Sequence, residues 1–197
     1  LALRDGAGKP LAYNELELLA LPAAARSPAY GASLIADGPL ADGLRLAGYS
    51  VAAGLADAGL AVTARPTAEL LAWVRAGGDL LFLCQGASPF FYAQGRGGAY
   101  SGGWITSYSW LRPEVHKRLQ PQNPLTMPYQ NVMPQHAIVG VPVEDPAVQP
   151  DILAGMIAGW VRHPVAHTVQ FRLGKGRVVM TTFALAAQIG RDPVATA

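Results

Sequence analysis

The stretch that decides the fold is TAELLAWVRAGGDLLFLC, residues 67–84. Its first half places Leu70, Leu71, Trp73 and Val74 at helical spacing, giving one apolar face. Thr67 stands where an N-cap hydroxyl is wanted, although Glu69 follows too closely to complete a capping box. Gly77-Gly78 ends the helix. DLLFLC follows at once, apolar from Leu80 to Cys84, and is bounded by Gln85-Gly86. A half-exposed strand alternates; a strand apolar on both faces is what the middle of a parallel sheet requires. The stretch therefore predicts a helix running straight into a central parallel strand.

Outward from this unit the same rhythm repeats. Toward the N-terminus, LAVTARP at 60–66 predicts a strand stopped by Pro66, and SVAAGL at 50–55 a short second strand. PLADGLRLAGY at 39–49 carries Leu40, Leu44 and Ala47 at helical spacing, with Gly48 as its stop. YGASLIAD at 30–37 predicts a buried first strand. Alternating β and α elements up to residue 84 predict an α/β domain with a doubly wound, mostly parallel sheet. Toward the C-terminus, AIVGVPV at 137–143 predicts a strand, and ILAGMIAGWV at 152–161 reads either as a buried helix or as an apolar sheet element. HTVQFRLG and GKGRVVMTTF form a hairpin around Gly174-Lys175-Gly176. RDPVATA reads as the start of a terminal helix, so a further piece of the fold is expected beyond it.

Residues 1–22 have a different character. Alternation around the turn chemistry of RDGAGKPL predicts extended β structure. A lone hairpin is marginal in water, so 1–22 reads as the terminal strands of a truncated β-sandwich. Residues 23–29 read as a linker, and 30–197 as the α/β domain.

Composition narrows the function. With 51% apolar and 14% charged residues, the 197-residue chain has ample material for a core. Fifteen basic residues against thirteen acidic are scattered, without a stripe that tracks phosphates, so nucleic acid is not an expected partner. No uninterrupted apolar run approaches about 18 residues, so no membrane partner is expected. The single cysteine, Cys84, excludes an internal disulfide. The opening LALRDGAGKP lacks a signal-peptide pattern and begins with Leu, which reads as a fragment or processed chain and leaves the compartment open. No motif implies a cofactor or a metal.

Two segments carry a resemblance. LLAWVRAGGDLLFL at 70–83 and LGKGRVVMTTFAL at 173–185 are similar to the helix–strand module and late strand pair of class I glutamine-amidotransferase-like domains. LRDGAGKPLAYNELELLALP resembles the closing strands of the immunoglobulin-like sandwich of family 2 glycoside hydrolases, and GGWITSYSWLRP and GWVRHP resemble accessory regions of those β-galactosidase-like proteins. The resemblance implies a flavodoxin-like α/β domain preceded by a short β segment from an immunoglobulin-like sandwich. It implies a non-catalytic accessory domain of a glycoside hydrolase active in carbohydrate metabolism, supporting assembly or shaping the substrate cleft. The catalytic carboxylates of that family sit in a (β/α)₈ barrel, for which this chain has neither the length nor the repetition. Implied partners are the other domains of a parent chain; a carbohydrate and a second copy of the chain are further candidates.

Candidate site residues fall in two groups. Cys84 occupies the family's nucleophile position, but Phe82 replaces the first glycine of the Gly-x-Cys-x-Gly turn. The family's His-x-Glu pair has no match at His163-Pro164-Val165 or His167-Thr168-Val169. A small buried hydrophobe is therefore the preferred reading of Cys84, and a Cys-dependent amidotransferase-like hydrolase the alternative. The second group is aromatic: seven rings fall between residues 90 and 110, and Phe91, Tyr92, Trp104, Tyr108 and Trp110 are the candidates for carbohydrate or interface contact. Packing or an interdomain interface is preferred over a carbohydrate-binding module. His163 and His167 are four apart, but Pro164 breaks a shared helix face, so no metal pair is expected. Glu144-Asp145, between Pro142 and Pro146, reads as a solvated loop.

Overall fold

The computed structural model describes residues 2–13, 18–21, 31–36, 38–95, 109–119, 121, 123–158 and 163–197. Strand β1 (Ala2–Arg4) pairs antiparallel with β2 (Pro10–Tyr13) as a separate two-stranded sheet. Asp5 shapes the turn by accepting the Ala7 and Lys9 N–H groups at 2.9 Å, and Gly8 takes φ +82°. The expected linker, 23–29, lies outside the described residues.

The main body is an α/β sheet. In chain order it contains β3 (Leu34–Ile35), α1 (Gly38–Leu46), β4 (Leu60–Thr63), α2 (Ala68–Ala76) and β5 (Asp79–Leu83). These are followed by β6 (Tyr92–Gly95), β7 (Ser109–Leu111), β8 (His136–Val139), β9 (Ile152–Ala158), β10 (His163–Leu173), β11 (Gly176–Thr181) and α3 (Pro193–Thr196). Strands β3, β4, β5 and β11 run parallel, and β5 lies in the middle with β4 on one side and β11 on the other. The predicted first strand is only two residues long, and the predicted strand at 50–55 shrinks to one parallel bridge, Val51 to Leu34. Glycines, alanines and a one-turn 3₁₀ segment at Leu55–Asp57 leave too few β-formers there to propagate a ladder. With that bridge counted, the order across the sheet is Val51, β3, β4, β5, β11.

Helices α1 and α2 cover opposite faces. Pairing of Ala61 with Leu80 and Val62 with Leu81 sets which side chains share a face. Ala61, Leu80, Phe82, Val178 and Met180 meet Leu70 and Val74 of α2. Val62 and Leu83 meet Leu40 and Leu44 of α1, with Ile189 from the C-terminal segment. Phe82 is fully buried, and truncating such a ring to Ala costs about 3–5 kcal/mol.

Local chemistry fixes α2. Thr67 Oγ1 accepts the Leu70 N–H at 3.2 Å, Glu69 and Arg75 complement the helix dipole, and Gly77 at φ +135° stops the helix. Sequence inspection reads Gly174-Lys175-Gly176 as a hairpin turn, and the β10–β11 hairpin is present. The turn also closes the end of α2. Lys175 N–H donates to the Arg75 carbonyl at 3.0 Å, and a Cβ on Gly174 would stand 2.6 Å from that same oxygen. A Cβ on Gly176 would overlap the Gly78 and Val74 carbonyl oxygens. Only glycine lets the turn approach the helix this closely.

The eleven-residue β10 joins two regions of the sheet. Its second half pairs with β11, and its first half runs antiparallel to β9, which in turn carries β7. Ala166 also bridges to Ile138 of β8, which pairs with β6. The segment 152–161, open between helix and sheet in the sequence, is therefore a strand over Ile152–Ala158, with β7 and β10 on its two edges.

Candidate functional site

In open α/β sheets, ligands bind beyond the carboxyl ends of the strands where the strand order reverses. Here that point lies between β3 and β4. A crevice of about 440 Å³ opens there, lined by Gly38, Pro39 and Leu40 of α1, Ala64 and Arg65 after β4, and Gln85 after β5.

Cys84 stands next to this crevice but faces inward. Its N–H donates to the Thr181 carbonyl at 2.8 Å, extending the β5–β11 ladder by one bond. The residue is fully buried, and Sγ lies 3.9 Å from the Gly86 carbonyl and 3.8 Å from that of Ala87. Burial pushes the thiol pKa above its usual value, and the Gly86 contact opposes this only in part. No imidazole or carboxylate hydrogen-bonds the thiol among the described residues. A thiol becomes a nucleophile through a base or a positive environment that lowers its pKa; the surroundings of Cys84 do the opposite.

His136 opens β8 opposite Gly95, and a Cβ on Gly86 would stand 3.3 Å from its Nε2. Gly86, at φ +122°, therefore brings the Cys84 turn against the His136 imidazole. His167 is buried at a bulge in the β9–β10 pairing, with its ring edge-on to Phe183 at 5.9 Å. Among the described residues, neither ring nitrogen meets a partner at hydrogen-bonding geometry. Burial pushes its pKa down to about 4, against a smaller opposing influence of the His136 backbone. No group of three metal-ligating side chains comes together among the described residues.

The aromatic candidates separate. Phe91 meets Phe171 edge-on at 5.2 Å, and Phe90 meets both Phe82 and Phe171, so these rings pack on the α2 face of the sheet. Tyr92 is 69% exposed at the start of the edge strand β6. Trp110 is half-buried on β7, directly opposite Gly155. Trp104 and Tyr108 lie outside the described residues. Glu144 and Asp145 are exposed in a turn. No described helix is long and apolar enough to cross a membrane. No family model and no curated protein matches the chain.

Proposed function

We propose that the chain is a non-catalytic accessory domain of a glycoside-hydrolase-like protein: a glutamine-amidotransferase-like, flavodoxin-like sheet that braces or shapes a substrate cleft built by other domains of its parent. One observation carries the reading. A crevice opens beyond the parallel strands, yet Cys84, which the resemblance aligns with a nucleophile, is sealed beneath it. The order Val51, β3, β4, β5, β11 supports the flavodoxin-like assignment, since, counting the parallel elements alone, it reads second, first, third, fourth, fifth in chain order. In the β1–β2 hairpin, Leu3 and Leu11 are 63% and 62% exposed. Bare leucines on a two-stranded sheet support its origin as part of an immunoglobulin-like sandwich, where further strands and a second sheet would cover apolar side chains.

The test is hydrolysis of aryl β-glycosides and of glutamine. The 197-residue chain is expected to turn over neither. The parent protein is expected to cleave the glycosides, and Cys84→Ala is expected to leave its kcat unchanged. Glycoside or glutamine hydrolysis by the chain itself would overturn the proposal.

A second reading, a Cys-dependent amidotransferase-like hydrolase, has one observation in its favour: Cys84 follows the central parallel strand and precedes a glycine at φ +122°. It requires rapid labelling of Cys84 by a thiol-reactive disulfide near pH 7. Labelling far slower than in the urea-unfolded chain rejects it.

A further inference from the structure

The antiparallel half of the sheet holds a cavity separate from the crevice at the carboxyl edge. Its volume is about 430 Å³, and it lies among β7, β9, the start of β10 and the 143–149 loop. That volume is within the range of small-molecule sites, roughly 300–1,000 Å³. We propose that this cavity is a subsite for one ring of a neutral pyranoside, with Trp110 as the platform.

The platform is built by a glycine. Trp110 faces Gly155 across the β7–β9 pair, where a Cβ would stand 2.8 Å from Trp110 Cζ2 and 2.7 Å from the Val165 carbonyl oxygen. Any larger residue would lift the indole off β9. With Gly155 there, the six-membered ring closes onto the strand while the half-buried side chain still borders the cavity. Ile157, 49% exposed, and Pro164 extend this apolar wall. An aromatic face is the complement of a sugar's C–H face, because those hydrogens carry partial positive charge toward the negative π-cloud.

The other wall is polar and partly held in place. Arg112 donates from Nε to the Ile152 carbonyl at 3.0 Å and from Nη2 to the Gln149 carbonyl, which fixes the guanidinium plane. Nη1 has no partner among the described residues, so its N–H groups are free for a ligand oxygen. Glu144 contributes an acceptor and the Gln149 side chain both a donor and acceptor. One cation and one anion line the cavity, so its formal charges cancel. A phosphate or carboxylate would meet Glu144 as well as Arg112. A polyhydroxyl ligand uses both, since each hydroxyl both donates and accepts.

The cavity chemistry stands independently, but choosing a β-pyranoside among neutral polyols rests on the glycoside-hydrolase reading above. The test is calorimetric titration of the chain with methyl β-D-galactopyranoside, methyl β-D-glucopyranoside and inorganic phosphate. One or both glycosides are expected to bind with a millimolar dissociation constant, as suits a single ring, and phosphate is expected not to bind. Trp110→Ala is expected to weaken binding by about tenfold or more, and Trp110→Phe by less. Should Trp110→Ala fail to fold, the exposed Glu144→Ala carries the test, with an expected loss of about threefold or more. Absence of glycoside binding at about 50 mM, well above millimolar constants, overturns the proposal, as does unchanged affinity in the variants. Aryl-glycoside hydrolysis by the parent reads the accessory-domain proposal independently. A hydrolytic parent with a silent cavity refutes only the subsite, and a sugar-binding chain from a non-hydrolytic parent refutes only the accessory role.

Discussion

Gly176→Ala tests how the β10–β11 turn docks on α2. The added methyl group would overlap the carbonyl oxygens of Gly78 and Val74. Both are main-chain atoms, so no rotamer change relieves the clash. Either the last turn of α2 lifts or β11 slides, and both movements stretch the Lys175 N–H bond to the Arg75 carbonyl, now 3.0 Å. Overpacking costs about 1–3 kcal/mol, and a lost hydrogen bond about 1 kcal/mol. Alanine's narrower unfolded ensemble returns about 0.4–1 kcal/mol. The expected net loss is about 1.5–3 kcal/mol. For a chain of this size that lowers Tm by about 3–12 °C. The control is Gly54→Ala: Gly54 has extended backbone at φ −153° and nothing within 4 Å of an added Cβ. Its Tm is expected to stay level or rise slightly. Thermal unfolding followed by circular dichroism measures both. A Gly176→Ala variant melting within about 1 °C of the parent chain would refute the docking argument.

Three further outcomes follow from the same geometry. His167 stays neutral in the folded chain, with its pKa near 4 against 6.5 for the free side chain. Between those values the unfolded chain binds a proton that the folded chain refuses. Its contribution to stability is therefore complete above pH 6.5 and is lost as pH falls toward 4, a loss of about 3 kcal/mol. Urea midpoints at pH 7 and pH 4.5 should differ less in His167→Leu than in the parent chain; an equal difference would exclude His167 as the cause. Thr67→Ala removes the acceptor for the Leu70 N–H and should cost about 1 kcal/mol by urea denaturation; no change would mean that the cap is idle. Asp192→Ala frees the Val194 and Ala195 N–H groups of α3. It should increase amide exchange in the last residues while leaving exchange in β5 and β11 unchanged, and a loss of protection in β5 would contradict that locality.

How much was legible in the sequence depended on whether the deciding contact was local. The α2–β5 unit was readable because its cap, apolar stripe, glycine stop and apolar strand all lie within Thr67–Cys84. The β10–β11 hairpin was readable for the same reason. Strand β9 was not, because ILAGMIA is apolar at every position and only its neighbours β7 and β10 make it a strand. Strands β6 and β7 were invisible inside the Gly-rich aromatic stretch, since short strands there depend on partners β8 and β9 supplied from farther along the chain. At the candidate sites, the sequence singled out Cys84 and Trp110 by residue type. It gave no warning that Cys84 is sealed, that His136 rests over Gly86, or that Gly155 makes room for Trp110. Those facts depend on register, which one residue of slippage would reverse.

The parallel pairing of β5 with β11 also has a consequence for synthesis. Asp79 and Arg177, which face each other across that pair and are joined by an ion pair, are 98 residues apart. At roughly 5–20 residues per second, the ribosome needs about 5–20 s to deliver β11 after β5 has emerged. Throughout that interval the apolar strand DLLFL has one unfilled edge, the kind of edge that recruits other chains. In the finished domain both edges of this strand are paired, by β4 and β11, so its exposure to aggregation belongs to the nascent chain. Added chaperone should therefore raise soluble yield without altering the melting temperature of the product.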